Sequence, residues 1–233
     1  MQNFTRKRKI VGNKSTMLPA LTIAQLQKEA ARFARTESKH SEPSLYGVDN
    51  GKKVGTYLEH KYQEYLQAHY RYVRGSSAEG IDFPELGVDI KVTSDKQPQS
   101  SCPFDSARQK IYGLGYSLLV FVYEKHDDPK TRTARLDIVH TVFVEKERTA
   151  DYQTTSGLRQ ILDNNANEDD ILAFFEDKML PVEDVAARKL AQEVLKNRPK
   201  LGYLTISNAL QWRLQYRRAI DEAGNVRGLL RLR

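Results

Sequence analysis

Apolar residues recur along this chain with two different periods, and the changes of period mark its elements. Thr22 followed by Gln25 is a capping-box pattern. Behind it Leu26, Ala30, Phe33 and Ala34 form one stripe, which predicts a helix running to about Thr36. Residues 38–50 carry no period and read as loop. Val54, Leu58, Tyr62 and Leu66 then return at four-residue spacing, predicting a second helix over 52–70 with one buried face. Gly55 and Glu59 stand four apart on the adjoining stripe, where a glycine leaves room for a group to approach the carboxylate. Residues 81–83, a turn through 84–87 and the run 88–93 predict a hairpin. In that run Val88, Ile90 and Val92 alternate with Asp89, Lys91 and Thr93, so three apolar groups share one face and three polar groups the other.

Residues 94–105 have neither period and are expected to form a mobile loop. A short helix over 106–112 breaks at Gly113 and Gly115. Residues 118–123 are continuously apolar, as expected of a strand buried on both faces, and after a turn at 127–129 the next strand spans 136–144. From Thr155 to about Arg198 the pattern is helical. Leu210, Trp212, Leu214 and Tyr216 then alternate with Gln211, Arg213, Gln215 and Arg217 at the strand period. There is no internal repeat. The order of elements predicts an α/β fold built on one mixed central sheet flanked by helices. Residues 1–20 read as a basic, mobile arm, 21–150 as the core, and 151–233 as a C-terminal part of helices and strands.

Composition narrows the class. The 233 residues are 39% hydrophobic and 29% charged, enough for one sizeable core. No run approaches the ~18 apolar residues of a membrane helix, and the charged start leads into no apolar segment, so a cytoplasmic protein without a membrane partner is expected. One cysteine, Cys102, excludes an intrachain disulfide, and five scattered histidines offer no zinc-ligand spacing. The net charge of +7 is concentrated at the ends: residues 1–14 and 199–233 each carry a net +5, leaving −3 between them. Basic extremities on an acidic body suit a polyanion, nucleic acid above all. Arg6, Lys7, Arg8 and Lys9 at one end, and Arg213, Arg217 and Arg218 at the other, are the candidate DNA contacts.

The candidate chemistry is Asp82 with Asp89, Ile90 and Lys91, and Glu59 upstream. Acid-x-lysine triplets are common; this chain has five. Only Asp89 and Lys91 flank an apolar residue within a predicted strand, so only there do carboxylate and ammonium project from one face of a fixed backbone. Two carboxylates, Asp82 and Asp89, and the carbonyl of Ile90 would make a hard oxygen site suited to magnesium. Such a site can polarise a phosphodiester and activate water, with a lysine to orient that water. The plain alternative is a turn aspartate beside a surface ion pair.

Residues 80–93 (GIDFPELGVDIKVT) resemble the active-site segment of the MutH-like endonucleases, which join the MutH mismatch-repair nicking enzyme and relatives among type II restriction enzymes within the PD-(D/E)XK nuclease superfamily. Residues 53–59 (KVGTYLE) are similar to that family's upstream helix. The likeness covers roughly residues 50–125, with Asp89 where the family usually has Glu. It implies a PD-(D/E)XK core in which Asp82 and Asp89 bind metal, Lys91 is the catalytic lysine and Glu59 the helix acid. It also implies a role for Lys110, from the segment Ser106 to Ile111, more weakly matched. The implied activity is magnesium-dependent, sequence-specific cleavage of double-stranded DNA in a restriction-modification system, leaving 5'-phosphate ends. Cutting both strands implies a homodimer, or a monomer that dimerises on DNA, and residues 151–233 would supply the DNA-recognition lobe. A mismatch-repair nicking enzyme and an inactive DNA-binding module are the rivals. Tyr57, Tyr62, Tyr65, Tyr70 and Tyr72 are expected to pack in or beside the core rather than stack on bases.

Overall fold

The structure, a computed structural model, describes residues 18–75, 80–102, 106–207 and 212–233. Helix α1 (Ile23–Glu37) forms both halves of the expected capping box: Thr22 Oγ1 accepts from Gln25 N at 3.3 Å and Gln25 Oε1 accepts from Thr22 N at 2.9 Å. Strand β1 (Ser41–Glu42) follows, then helix α2 (Gly51–Gln67), capped by Asn50. Next come β2 (Val88–Ser94), β3 (Gln99–Cys102), α3 (Arg108–Tyr112), β4 (Ser117–Asp128) and β5 (Thr133–Val144). Helices α4 (Tyr152–Asp163), α5 (Glu168–Asp177) and α6 (Asp184–Lys196) precede β6 (Thr205–Ile206), β7 (Trp212–Gln215), α7 (Arg217–Glu222) and β8 (Leu229–Arg231).

The main sheet has the order β1-β5-β4-β2, with β8 also pairing β5. Strands β2 and β4 are parallel and the remaining pairs antiparallel, so the sheet is mixed, as the sequence predicts. One core joins the apolar stripes of α1 and α2 to Ile90, Leu119 and Phe121. It also takes in the tyrosines: Tyr62 is fully buried and donates to Leu26 O at 2.7 Å, and Tyr57, Tyr65, Tyr70 and Tyr72 pack against it. A second core sets Leu118, Val120 and Val122 against β6, β7 and α7, and a third lies among α3 to α6. The apolar side of the 210–217 alternation points inward where it is described: Leu214 and Tyr216 are buried, Arg213 and Gln215 exposed.

The structure corrects several expectations. Within the loop expected over 94–105, Gln99–Cys102 is a strand, pairing β7 in a second sheet of order β3-β7-β6. Its side chains (QSSC) carry no apolar period because its partner is a backbone far along the chain. The expected hairpin reduces to one bridge, Phe83 with Val88, closed by the turn Pro84–Leu86 and Gly87 at φ +59°. The polar face of β2 is not open to solvent: Asp89 and Thr93 are 4% and 5% exposed, and Thr93 is bonded to the segment returning toward β3. Strand β4 continues past its apolar run to Asp128, since ladder bonds with β5 do not depend on side-chain type. The expected loop over 38–50 contains β1. Pro19 and Ala20, at the end of the expected arm, are tied to Arg71. The other end of the chain returns to the main sheet through β8, and Arg233 donates to Ala34 O at 2.8 Å and Ser38 Oγ at 2.6 Å.

Candidate active site

Strand β2 is the edge of the main sheet, and the candidate residues gather at its open side. The backbone of Val88 exchanges both bonds with Phe83, so Val88, and two residues on Ile90, turn N–H and C=O away from β4. The Ile90 N–H donates to Asp82 Oδ2 at 2.8 Å. Asp82 is therefore held at the strand edge although it is in no strand itself. Its backbone carbonyl accepts from Gly75 N at 2.9 Å, and a Cβ at Gly75 would fall 1.8 Å from Ile81 O, so only glycine lets the chain close there.

Asp89 and Lys91 share one side of β2, as the alternation predicts, and form an ion pair of 2.7 Å between Nζ and Oδ2. Burial pushes the Asp89 carboxyl up to about 7; Lys91 opposes this shift and the neighbouring Asp82 carboxyl adds to it. Burial likewise raises Glu59, helped by Asp82 and opposed by Lys91. Asp82, Asp89, Ile90, Lys91 and Glu59 line one cavity of about 280 Å³, with Gln63 and Arg74 among the other walls. A larger hollow of about 470 Å³ between α4 and α5 contains no lysine or arginine beside its aspartates.

Gly55 lies beside Glu59 as the stripe requires. A Cβ there would stand 3.9 Å from Val92 Cβ and 4.0 Å from Glu59 Oε1, so the space is real but would also admit alanine. Gln63, which the sequence reading passed over, extends the same stripe by one turn (55, 59, 63) and donates from Nε2 to Asp82 Oδ1 at 2.9 Å. That spacing was the signal that could have found it. Arg74 has no such signal.

Other candidates lie elsewhere. Lys110 does not line the cavity. It is 4% exposed in α3, its Nζ donates to Ile206 O at 2.8 Å, and burial lowers its pKa against the pull of Asp151. Arg217 pairs with Asp95 at 3.2 Å, and the Arg218 guanidinium lies 3.6 Å from the ring centre of Tyr152. Arg213 is exposed on β7. Arg6, Lys7, Arg8 and Lys9 lie outside the described residues.

The donor chemistry fits a hard divalent cation. Two carboxylates come together, and the Ile90 carbonyl turns to the same open edge as the N–H that Asp82 accepts, so three hard oxygen donors face one cavity. The set is two carboxylates and a carbonyl; among the described residues no three Asp, Glu, His or Cys side chains are close enough together to hold a metal. No helix among the described residues is long and apolar enough to cross a membrane.

A family model described as type II restriction enzyme NspV matches residues 20–231. The type II restriction enzyme NspV of Nostoc sp. (strain ATCC 29411 / PCC 7524) is 60% identical over 210 residues, which cover 90% of this chain and 96% of that relative. No solved structure matches. The match spans the edge-strand site and the C-terminal part alike, and the chain belongs to the NspV family of type II restriction enzymes.

Proposed function

We propose that this type II restriction enzyme hydrolyses both strands of its DNA site at the open edge of β2, in a PD-(D/E)XK core of the kind residues 80–93 resemble. The observation that carries the reading is the convergence of Asp82, the Ile90 backbone, Asp89 and Lys91 on one cavity. Asp82, Asp89 and the Ile90 carbonyl would hold magnesium. When bound, a divalent cation polarises the phosphoryl oxygen and lowers the pKa of a coordinated water. Lys91, tethered to Asp89, orients the attacking water and offsets charge as it develops on the phosphate. Glu59, which lines the same cavity and whose carboxyl is raised by burial, is placed to take up and return a proton during the reaction. Cutting both strands, to leave 5'-phosphate ends, requires a second copy of this site, supplied by a homodimer formed before or upon DNA binding.

The whole-chain family match favours restriction over mismatch-repair nicking, whose likeness is confined to about 50–125. The test is incubation of the purified protein with magnesium and unmethylated plasmid, followed by sequencing of the fragment ends, with Asp89→Ala alongside. Discrete double-strand ends from the wild type alone support the reading. Nicks alone, or binding without cutting, overturn it.

A further inference from the structure

Gln63 is 3% exposed in α2, on the turn that follows Glu59, and it faces the cavity. Its position is doubly anchored: Tyr72 Oη donates to the Gln63 carbonyl at 3.0 Å, and Gln63 Nε2 donates to Asp82 Oδ1 at 2.9 Å. The amide as placed gives Asp82 Oδ1 a donor; turned over, it would set Oε1 oxygen to oxygen against it. The side-chain oxygen is consequently committed to another direction, and there it is buried with no hydrogen-bond partner among the described residues. A buried carbonyl oxygen without a donor is unfavourable, so a site that keeps one is built for something that brings a donor.

Asp82 shows what Gln63 accomplishes. One carboxylate oxygen is held by the Gln63 amide and the other by the Ile90 N–H. Each oxygen can accept twice, so both remain able to bind a cation while the plane of the carboxylate is fixed. Magnesium keeps several of its waters when a protein binds it, and such a water is a strong donor. We propose that Gln63 is a positioning residue for Asp82 and that its Oε1 accepts a hydrogen bond from a water in the hydration shell of the divalent cation. This rests on the assignment of Asp82 to the metal site, and it gives α2 a second contribution to that site besides Glu59.

The experiment measures manganese binding to the full chain without DNA, by calorimetry or by electron paramagnetic resonance, for wild type, Gln63→Met, Gln63→Asn and Asp82→Ala. Methionine keeps the length and loses both polar atoms; asparagine keeps the amide and shortens its reach. Both variants should bind manganese at least tenfold more weakly, keep DNA affinity measured without divalent cation, and lose kcat with little change in KM. Excess manganese should restore part of their cleavage. If the methionine variant loses its melting transition, the asparagine variant decides. Wild-type manganese affinity in a folded Gln63 variant, together with loss of binding in Asp82→Ala, would overturn the role of Gln63 alone. Wild-type affinity in Asp82→Ala as well would overturn the metal site beneath it.

Discussion

Asp82 Oδ2 accepts the Ile90 N–H at 2.8 Å, closing a sheet edge with a side chain from a turn eight residues earlier. An edge strand normally leaves such groups to water or to another strand. Here the bond brings a second carboxylate beside Asp89, so that the oxygen site depends on tertiary placement of the 81–83 segment as much as on the strand itself.

The ammonium of Lys91 stands on Asp89 Oδ2 at 2.7 Å, the atom a cation would use. Lys91→Ala frees that atom and is expected to bind manganese more tightly once the pH is high enough to ionise Asp89, whose carboxyl rises further without the lysine, while cleavage falls by about 100-fold or more through loss of charge stabilisation. Calorimetric titration paired with single-turnover cleavage checks both halves. Much weaker metal binding would mean that the lysine holds the carboxylates together.

The raised carboxyls set a pH dependence. Folded Asp89, at about 7, and folded Glu59 retain protons that the unfolded chain has already released. At these two groups the native state therefore binds more protons, and their contribution to the stability of the metal-free protein falls as pH rises from the ordinary aspartate value of 3.8 through about 7. The Asp89→Asn/Glu59→Gln double variant should flatten that fall. Urea denaturation at several pH values measures it, and parallel slopes in variant and wild type would refute it.

Gly55→Ala should raise stability by about 0.5–1 kcal/mol, because a mid-helix glycine is costly and the added methyl meets only ordinary contacts. The same methyl narrows the approach to Glu59, so cleavage should slow while the melting temperature rises. Faster or unchanged cleavage would show that nothing uses that space.

DNA affinity should fall with salt, and the three C-terminal arginines should not share the effect equally. All three are exposed, but Arg217 is already paired with Asp95 and Arg218 lies on Tyr152. Arg213→Ala should flatten the slope of log affinity against log salt by about 0.9, the share of one phosphate contact, and Arg217→Ala by less. Binding isotherms at several salt concentrations decide it, and the reverse ranking would place the DNA track on α7.

Periodicity in the sequence determined the elements whose side chains repeat: the capped α1, the 54-58-62-66 stripe of α2, the buried run of β4 and the alternation that puts Asp89 and Lys91 on one side of β2. These are local consequences of backbone geometry, and burial leaves its period in the residue types. The family segment likewise selected Asp82, Asp89, Lys91 and Glu59, which the structure brings to one cavity. Only the tertiary structure decided that Gln99–Cys102 is a strand, that Gln63 holds Asp82, that Lys110 is drawn to Ile206 and that Arg217 pairs with Asp95. Each of these is a contact between residues 19 to 122 positions apart. Backbone pairing and single polar contacts at such separations impose no period on the intervening sequence; the 55-59-63 stripe tells which face of α2 Gln63 takes, but not that it meets Asp82.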